Sequence, residues 1–186
     1  MISVGTLFSR QSAPLVGIDI SSSSVKLVEL AHDKAGNLVL ERCAIEPLER
    51  GWITDGNIEK FDEVAEALRR LIKKSGTRTK NVALALPPSA VITKKISLPA
   101  GMTDQELEVQ VESEANQYIP FSLDEVSLDF CVIGPNKGSP GDVDVLIAAS
   151  RREKVQDRQG LAEAAGLKAV IVDIESHAAR LGASRL

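Results

Sequence analysis

The chain has 186 residues, a formal net charge of −4, 44% hydrophobic and 26% charged residues, which is the mix of a soluble globular protein with room for one ordinary domain or two small ones. No apolar run reaches the ~18 residues of a membrane-spanning helix, and the start MISVGTLFSRQ lacks the long apolar stretch and cleavage site of a secretory signal. The negative charge and an aromatic content of 3% argue against nucleic-acid binding, which draws on basic patches and stacking rings.

Ile2, Val4, Leu7 and Phe8 could form a short sticky arm, although a disordered start or a segment packed on the domain is the simpler expectation. Residues 15–20 are a short apolar run suited to a buried strand. A polar turn, Ser21 to Ser24, follows it. Residues 25–31 and 38–46 read as two further strands joined through Gly36 and Asn37, which tolerate the positive φ of tight turns, so the three form an antiparallel meander. Ile58, Phe61, Val64, Ala65, Leu68, Leu71 and Ile72 recur at spacings of three and four, the mark of an amphipathic helix. Asn57 is its expected cap and Gly76 its stop. Residues 82–86 make another buried strand, cut off by Pro87 and Pro88.

A different pattern occupies residues 88–150. Residues 90–98 read as a strand, and Thr103 to Glu106 as a capping box opening a helix that stops before Pro120. Alternation over Val126 to Val132 gives a half-buried strand, the Gly/Pro-rich stretch 134–141 a hairpin loop, and residues 143–149 its partner strand. Ser150 to Glu153 resembles a second capping box, opening a helix to about Ala165 that stops at Gly166. Residues 168–174 are a buried strand and 175–183 a last helix. Cys43 and Cys131, each inside a strand, are expected to be small buried hydrophobes in a reducing compartment, with neither zinc nor disulfide indicated.

The assembled order is β-β-β-α-β, an insert, then α-β-α. It predicts an α/β fold, a ribonuclease-H-like core over residues 1–87 plus 151–186 with a strand-helix-strand-strand subdomain over 88–150. That core serves nucleases, integrases and actin-like ATPases alike, so order does not fix function. A nuclease needs carboxylates gathered around two metals. Asp19 has that kind of position, and Glu29 or Asp173 are the available companions.

The most informative local stretch is VGIDISSSSVK, residues 16–26. A buried strand ending in Asp19 and followed by a hydroxyl-rich turn suits a nucleotide–magnesium complex. Asp19 would hold the water shell of Mg²⁺, the amides and hydroxyls of Ser21, Ser22, Ser23 and Ser24 would cradle phosphate, and Lys26 would add a point charge. A plain hairpin with a serine turn is the other reading. The stretch looks like the first phosphate loop of the actin, heat-shock-70 and sugar-kinase superfamily, in which many members carry Gly where Ser21 stands, so that the backbone approaches phosphate more closely.

Residues 90–130, with Glu114, Ala115, Tyr118, Ile119, Pro120 and Phe121 closing the insert's helix, resemble the central stretch of the PilM family of type IV pilus assembly proteins. GIDISSSSVKLVEL, VDVLIAASRREKV and AGLKAVIVDIES resemble family segments in family order. The resemblance implies a two-lobed actin-like fold with ATP and Mg in the cleft, the insert corresponding to the subdomain shared with the division protein FtsA. It further implies a cytoplasmic scaffold, peripheral at the inner membrane through its partners and not inserted. The expected partners are the short cytoplasmic N-terminal tail of PilN, held in a groove beside the insert, and other proteins of the assembly platform. Tyr118, Ile119, Pro120 and Phe121 are candidates to line or support that groove, or else to be buried in the insert's own core.

The second lobe of the family is not in this sequence, so ATP binding is expected to be weak or absent and hydrolysis absent, with no catalytic residue assigned. The alternatives are a fragment of an actin-fold kinase or ATPase, and an FtsA-like division protein. His32, His177, Trp52 and the pairs Lys94-Lys95 and Arg151-Arg152 read as surface or core-covering residues.

Overall fold

A computed structural model describes residues 14–184, so the apolar start Ile2 to Phe8 lies outside the described residues. The first three strands are β1 (Val16–Ile20), β2 (Ser24–His32) and β3 (Leu38–Pro47), paired as the expected antiparallel meander. Alternation sorts their side chains. Val16, Ile18 and Ile20 point into the core while Gly17 and Asp19 point away from it, and Asp19 stands opposite Lys26 in the ladder. The β2–β3 turn closes because the Asp33 carboxylate accepts the amides of Ala35 and Asn37 at 2.8 and 2.9 Å.

A two-residue hairpin then intervenes that the sequence pattern did not announce. Strand β4 (Ile53–Thr54) pairs with β5 (Asn57–Ile58) around Asp55 and Gly56, whose φ values of 51° and 81° are those of a type I′ turn. Asn57 is consumed by this hairpin and cannot cap the following helix as expected. Helix α1 (Phe61–Ser75) starts after Lys60 with no side-chain cap. Its stability comes from burying Val64, Ala65, Ala67, Leu68 and Leu71 against Val25, Leu27, Val82 and Leu84, at roughly 1.5–3 kcal/mol for each fully buried large side chain. Trp52 packs at the edge of that cluster, as expected. Gly76, with φ +66°, ends α1 as expected.

Strand β6 (Asn81–Leu86) lies parallel to β1 and leads into the insert. There β7 (Val91–Pro99), β8 (Val126–Pro135) and β9 (Asp142–Arg151) form their own antiparallel sheet in the order β7-β9-β8. Helix α2 (Asp104–Tyr118) packs Leu107 and Val111 on Ile96, Leu98, Val145 and Ile147. Its capping box forms: the Thr103 hydroxyl accepts the Glu106 amide while the Glu106 carboxylate accepts the Thr103 amide.

The second expected capping box does not form. Ser150 is a residue of β9, and its hydroxyl donates to the Ala90 carbonyl at 2.7 Å. Strand β9 runs straight into α3 (Arg152–Ala164), leaving no turn in which Ser150 could reach the helix amides. Strand β10 (Lys168–Ile174) pairs parallel with β6, and α4 (Glu175–Ala183) follows directly. The larger sheet therefore has the order β10-β6-β1-β2-β3, the arrangement of a ribonuclease-H-like core.

Both cysteines are exposed, contrary to expectation. Cys43 alternates with the buried Ala44 and so projects from the sheet face opposite α1. Cys131 pairs with Leu146 on the insert face opposite α2. Among the described residues no helix is long and apolar enough to cross a membrane.

Candidate functional site

Two concave regions collect the residues singled out by sequence. The first lies at the end of β1. Ser21 donates both its amide and its hydroxyl to the Ser24 carbonyl, at 3.0 and 2.9 Å, which closes the loop between β1 and β2. The Leu48 amide ties the loop to the end of β3 through the Ser23 carbonyl. Lys26 reaches across the ladder, its Nζ 2.6 Å from Asp19 Oδ2 and 3.4 Å from Ser21 Oγ. Asp19, Ser21, Ser22 and Ser23 all line a cavity of about 710 Å³, with Lys26 at its edge as the ion-pair partner of Asp19.

The opposite wall of this cavity comes from residues that sequence reading passed over. Thr54, Asp55 and Gly56 of the β4–β5 hairpin line it, as do Pro87 and Glu175, the first residue of α4. The Asp55-Gly56 pair was the available signal for the hairpin, and the strand-to-helix junction at Glu175 carried none. Burial pushes the Glu175 carboxyl above its ordinary value, and the Asp19 charge pushes the same way, against the opposing pull of Arg158 and Lys26.

This donor set fits a phosphate–magnesium group. Among the described residues the amides of Ser22 and Ser23 have no acceptor, so they are free to meet phosphate oxygens. Asp19, Asp55 and Glu175 all line the cavity without converging into a ligating cluster, as suits a cation that keeps most of its waters.

The nuclease companions are not assembled beside Asp19. Glu29 pairs in register with Val16, three residues from Asp19 along β1, and is buried on the other face of the sheet, where Thr79 donates to it at 2.6 Å. Asp173 lines a separate, smaller cavity with His177 and Cys131.

The second region is an apolar groove of about 430 Å³ between the start of β7, the end of α2 and the start of α3. Ile119, Pro120 and Phe121 line it together with Val91, Val126 and Ala149. Ile119 is buried, Phe121 is half-buried with the Arg151 guanidinium 4.2 Å from its ring centroid, and Pro120 is exposed. Glu153 and Lys154, from the first turn of α3, form the polar rim. Tyr118 is not part of the lining. It is 42% exposed and lies outside the groove, with Lys94 Nζ 4.5 Å from its ring centroid. His32 is exposed.

Comparison with known proteins fits this architecture. A profile of the family described as type IV pilus assembly protein PilM matches residues 17–186. The solved structure of a PilM–PilN type IV pilus biogenesis complex is similar at 31% identity with a TM-score of 0.77, over 88% of this chain and 48% of that chain. The cytoplasmic domain of EpsL, an inner-membrane component of the type II secretion system of Vibrio cholerae, shares the fold at 14% identity with a TM-score of 0.53, over 87% of this chain and 57% of that one. This chain spans about half the length of the PilM chain it matches. Its ribonuclease-H-like sheet with the inserted subdomain is an actin-like lobe, and the chain belongs to the type IV pilus assembly protein PilM family.

Proposed function

We propose that this chain is a docking module of the type IV pilus assembly platform, which takes up the cytoplasmic N-terminal tail of PilN in the groove beside the insert. The observation that carries the reading is the groove itself. It offers an apolar floor, Ile119, Pro120, Phe121 and Val126, with a charged rim, Arg151, Glu153 and Lys154. That is the anatomy of a site for a short peptide with apolar anchors. The similar solved structure is a complex of PilM with PilN, which supports PilN as the occupant.

In this reading residues 1–87 plus 151–186 act as the actin-like core and residues 88–150 as the insert that walls the groove. The protein sits on the cytoplasmic side of the inner membrane, held there by its partners. The cavity at Asp19 is a partial ATP–Mg site: Asp19 would hold the metal, the free amides of Ser22 and Ser23 would hold phosphate, and Lys26 would add a positive charge, while Ser21, expected to join them, spends its amide and hydroxyl on the Ser24 carbonyl and so shapes the loop. Among the described residues the walls of this cavity hold phosphate and metal chemistry and no pocket for a base, so in this reading the chain by itself binds nucleotide weakly. The kinase and FtsA-like alternatives are not favoured, because the family profile covers the chain from the phosphate loop to its end.

An isotope-edited titration tests the docking claim. Amide shifts on adding a PilN-tail peptide should cluster at residues 89–92, 119–121 and 149–154. Shifts confined to other surfaces would refute the groove. Calorimetry with Mg-ATP tests the second claim, and a micromolar dissociation constant would overturn it.

A further inference from the structure

We infer that Arg158 is a positioning residue of the phosphate cavity, which from behind fixes the β4–β5 hairpin to the end of β6. This inference rests on reading the Asp19 cavity as a phosphate site. Arg158 lies on α3 and is 2% exposed, in a place where a helix facing a sheet normally carries an aliphatic residue. Among the described residues no carboxylate lies within ion-pair distance of it, although burying an unpaired guanidinium is costly. Its donors go instead to backbone. Nη2 donates to the Gly56 carbonyl at 3.0 Å and Nε to the Ala85 carbonyl at 3.4 Å.

Those two carbonyls belong to separate elements, both of which border the cavity. Gly56 is in the hairpin wall, and Ala85 is two residues before Pro87, which also lines the cavity. Gly56 and Pro87 are in close apposition, since a Cβ on Gly56 would stand 2.4 Å from Pro87 Cγ. The planar fork of a guanidinium can hold both carbonyls at once, which a lysine ammonium or an aliphatic side chain cannot do equally. Burial lowers the affinity of Arg158 for its proton, and the charges of Glu175 and Asp157 oppose that shift. Glu175 lines the same cavity as Gly56 and Pro87. A local rule broken without packing gain is the mark of a residue kept for a site.

The test is hydrogen–deuterium exchange on the full chain, comparing the native protein with Arg158→Lys and Arg158→Met. Exchange at residues 53–58 and at the start of α4 should rise roughly tenfold or more, the size of one lost hydrogen bond from a charged donor. Exchange in α1 and in β7, β8 and β9 should stay within about twofold. The Lys variant should be affected less than the Met variant. A uniform rise through the core, failure of both variants to fold, or unchanged hairpin exchange in a folded variant would each overturn the inference. Magnesium pyrophosphate titrated in parallel separates the two claims. If the native chain does not bind it, the phosphate reading falls and the exchange pattern alone judges Arg158. If the native chain binds it, folded variants should bind it at least tenfold more weakly, and equal binding would overturn the positioning role.

Discussion

Replacing Phe121 by alanine separates a groove from a core. The ring is half-buried among Ile119, Val126 and Ala149, with the Arg151 guanidinium 4.2 Å above it. A fully buried phenylalanine costs about 3–5 kcal/mol when cut to alanine, so a half-buried one should cost about 1.5–2.5 kcal/mol. Loss of an exposed cation–π contact adds about 0.5–1 kcal/mol. The sum, about 2–3.5 kcal/mol, should lower the melting temperature by roughly 4–14 °C for a chain of this size and leave the protein folded at 25 °C. If Phe121 anchors the PilN tail, the folded variant should also bind the peptide at least about thirtyfold more weakly, the loss that defines a binding hot spot. Circular dichroism melts and peptide titrations on the same preparation give both numbers. A folded variant with unchanged peptide affinity, or a variant already unfolded at 25 °C, would refute the reasoning.

Thr103→Ala removes the hydroxyl that caps α2 and should cost about 1 kcal/mol in a urea melt, whereas Ser150→Ala should leave α3 uncapped as it already is and cost only its bond to the Ala90 carbonyl. Gly56→Ala should destabilise by more than about 1 kcal/mol, because φ +81° strains any side chain and the new Cβ meets Pro87. Thermal melts check it against Gly36→Ala, where φ is equally strained but nothing lies within 4 Å. Glu175 has its folded-state carboxyl raised above the ordinary value of about 4.5 by burial and by Asp19, so its contribution to stability is present below the unfolded value and is lost as pH rises through the folded one. Glu175→Gln should therefore stabilise the protein at pH 7 and not at pH 4, read from denaturant midpoints at both.

Strongly periodic segments were legible in the sequence. The three-and-four spacing from Phe61 to Ile72, the alternation at Val126 to Val132 and the Thr103–Glu106 box each specify one local structure through local chemistry, and each forms, although Ile58, expected on the same helix face, belongs to β5. The errors arose where a neighbouring element competed for the same residue. Asn57 was claimed by a hairpin and Ser150 by a strand that continues into its helix without a turn. Strand alternation placed Cys43 and Cys131 on outer faces, which an apolar run alone cannot reveal because period-two orientation depends on register. Half of the candidate phosphate cavity was readable, since Asp19 and its serines are contiguous. The other half comes from distant elements: Thr54, Asp55 and Gly56 from the separate β4–β5 hairpin, and Glu175 from the helix after β10, which β6 carries beside β1. Likewise Ile119, Pro120 and Phe121 were found from their motif, while Arg151, Glu153 and Lys154 reach the groove because β9 ends there and runs directly into α3.

The central claim is that this half-length chain docks PilN by itself. Fluorescence anisotropy of a labelled peptide from the cytoplasmic tail of the cognate PilN, titrated with the chain against a scrambled peptide, tests it most directly. Saturable binding of the native peptide alone is the expected result. Equal or no binding of the two peptides by demonstrably folded protein would contradict the claim.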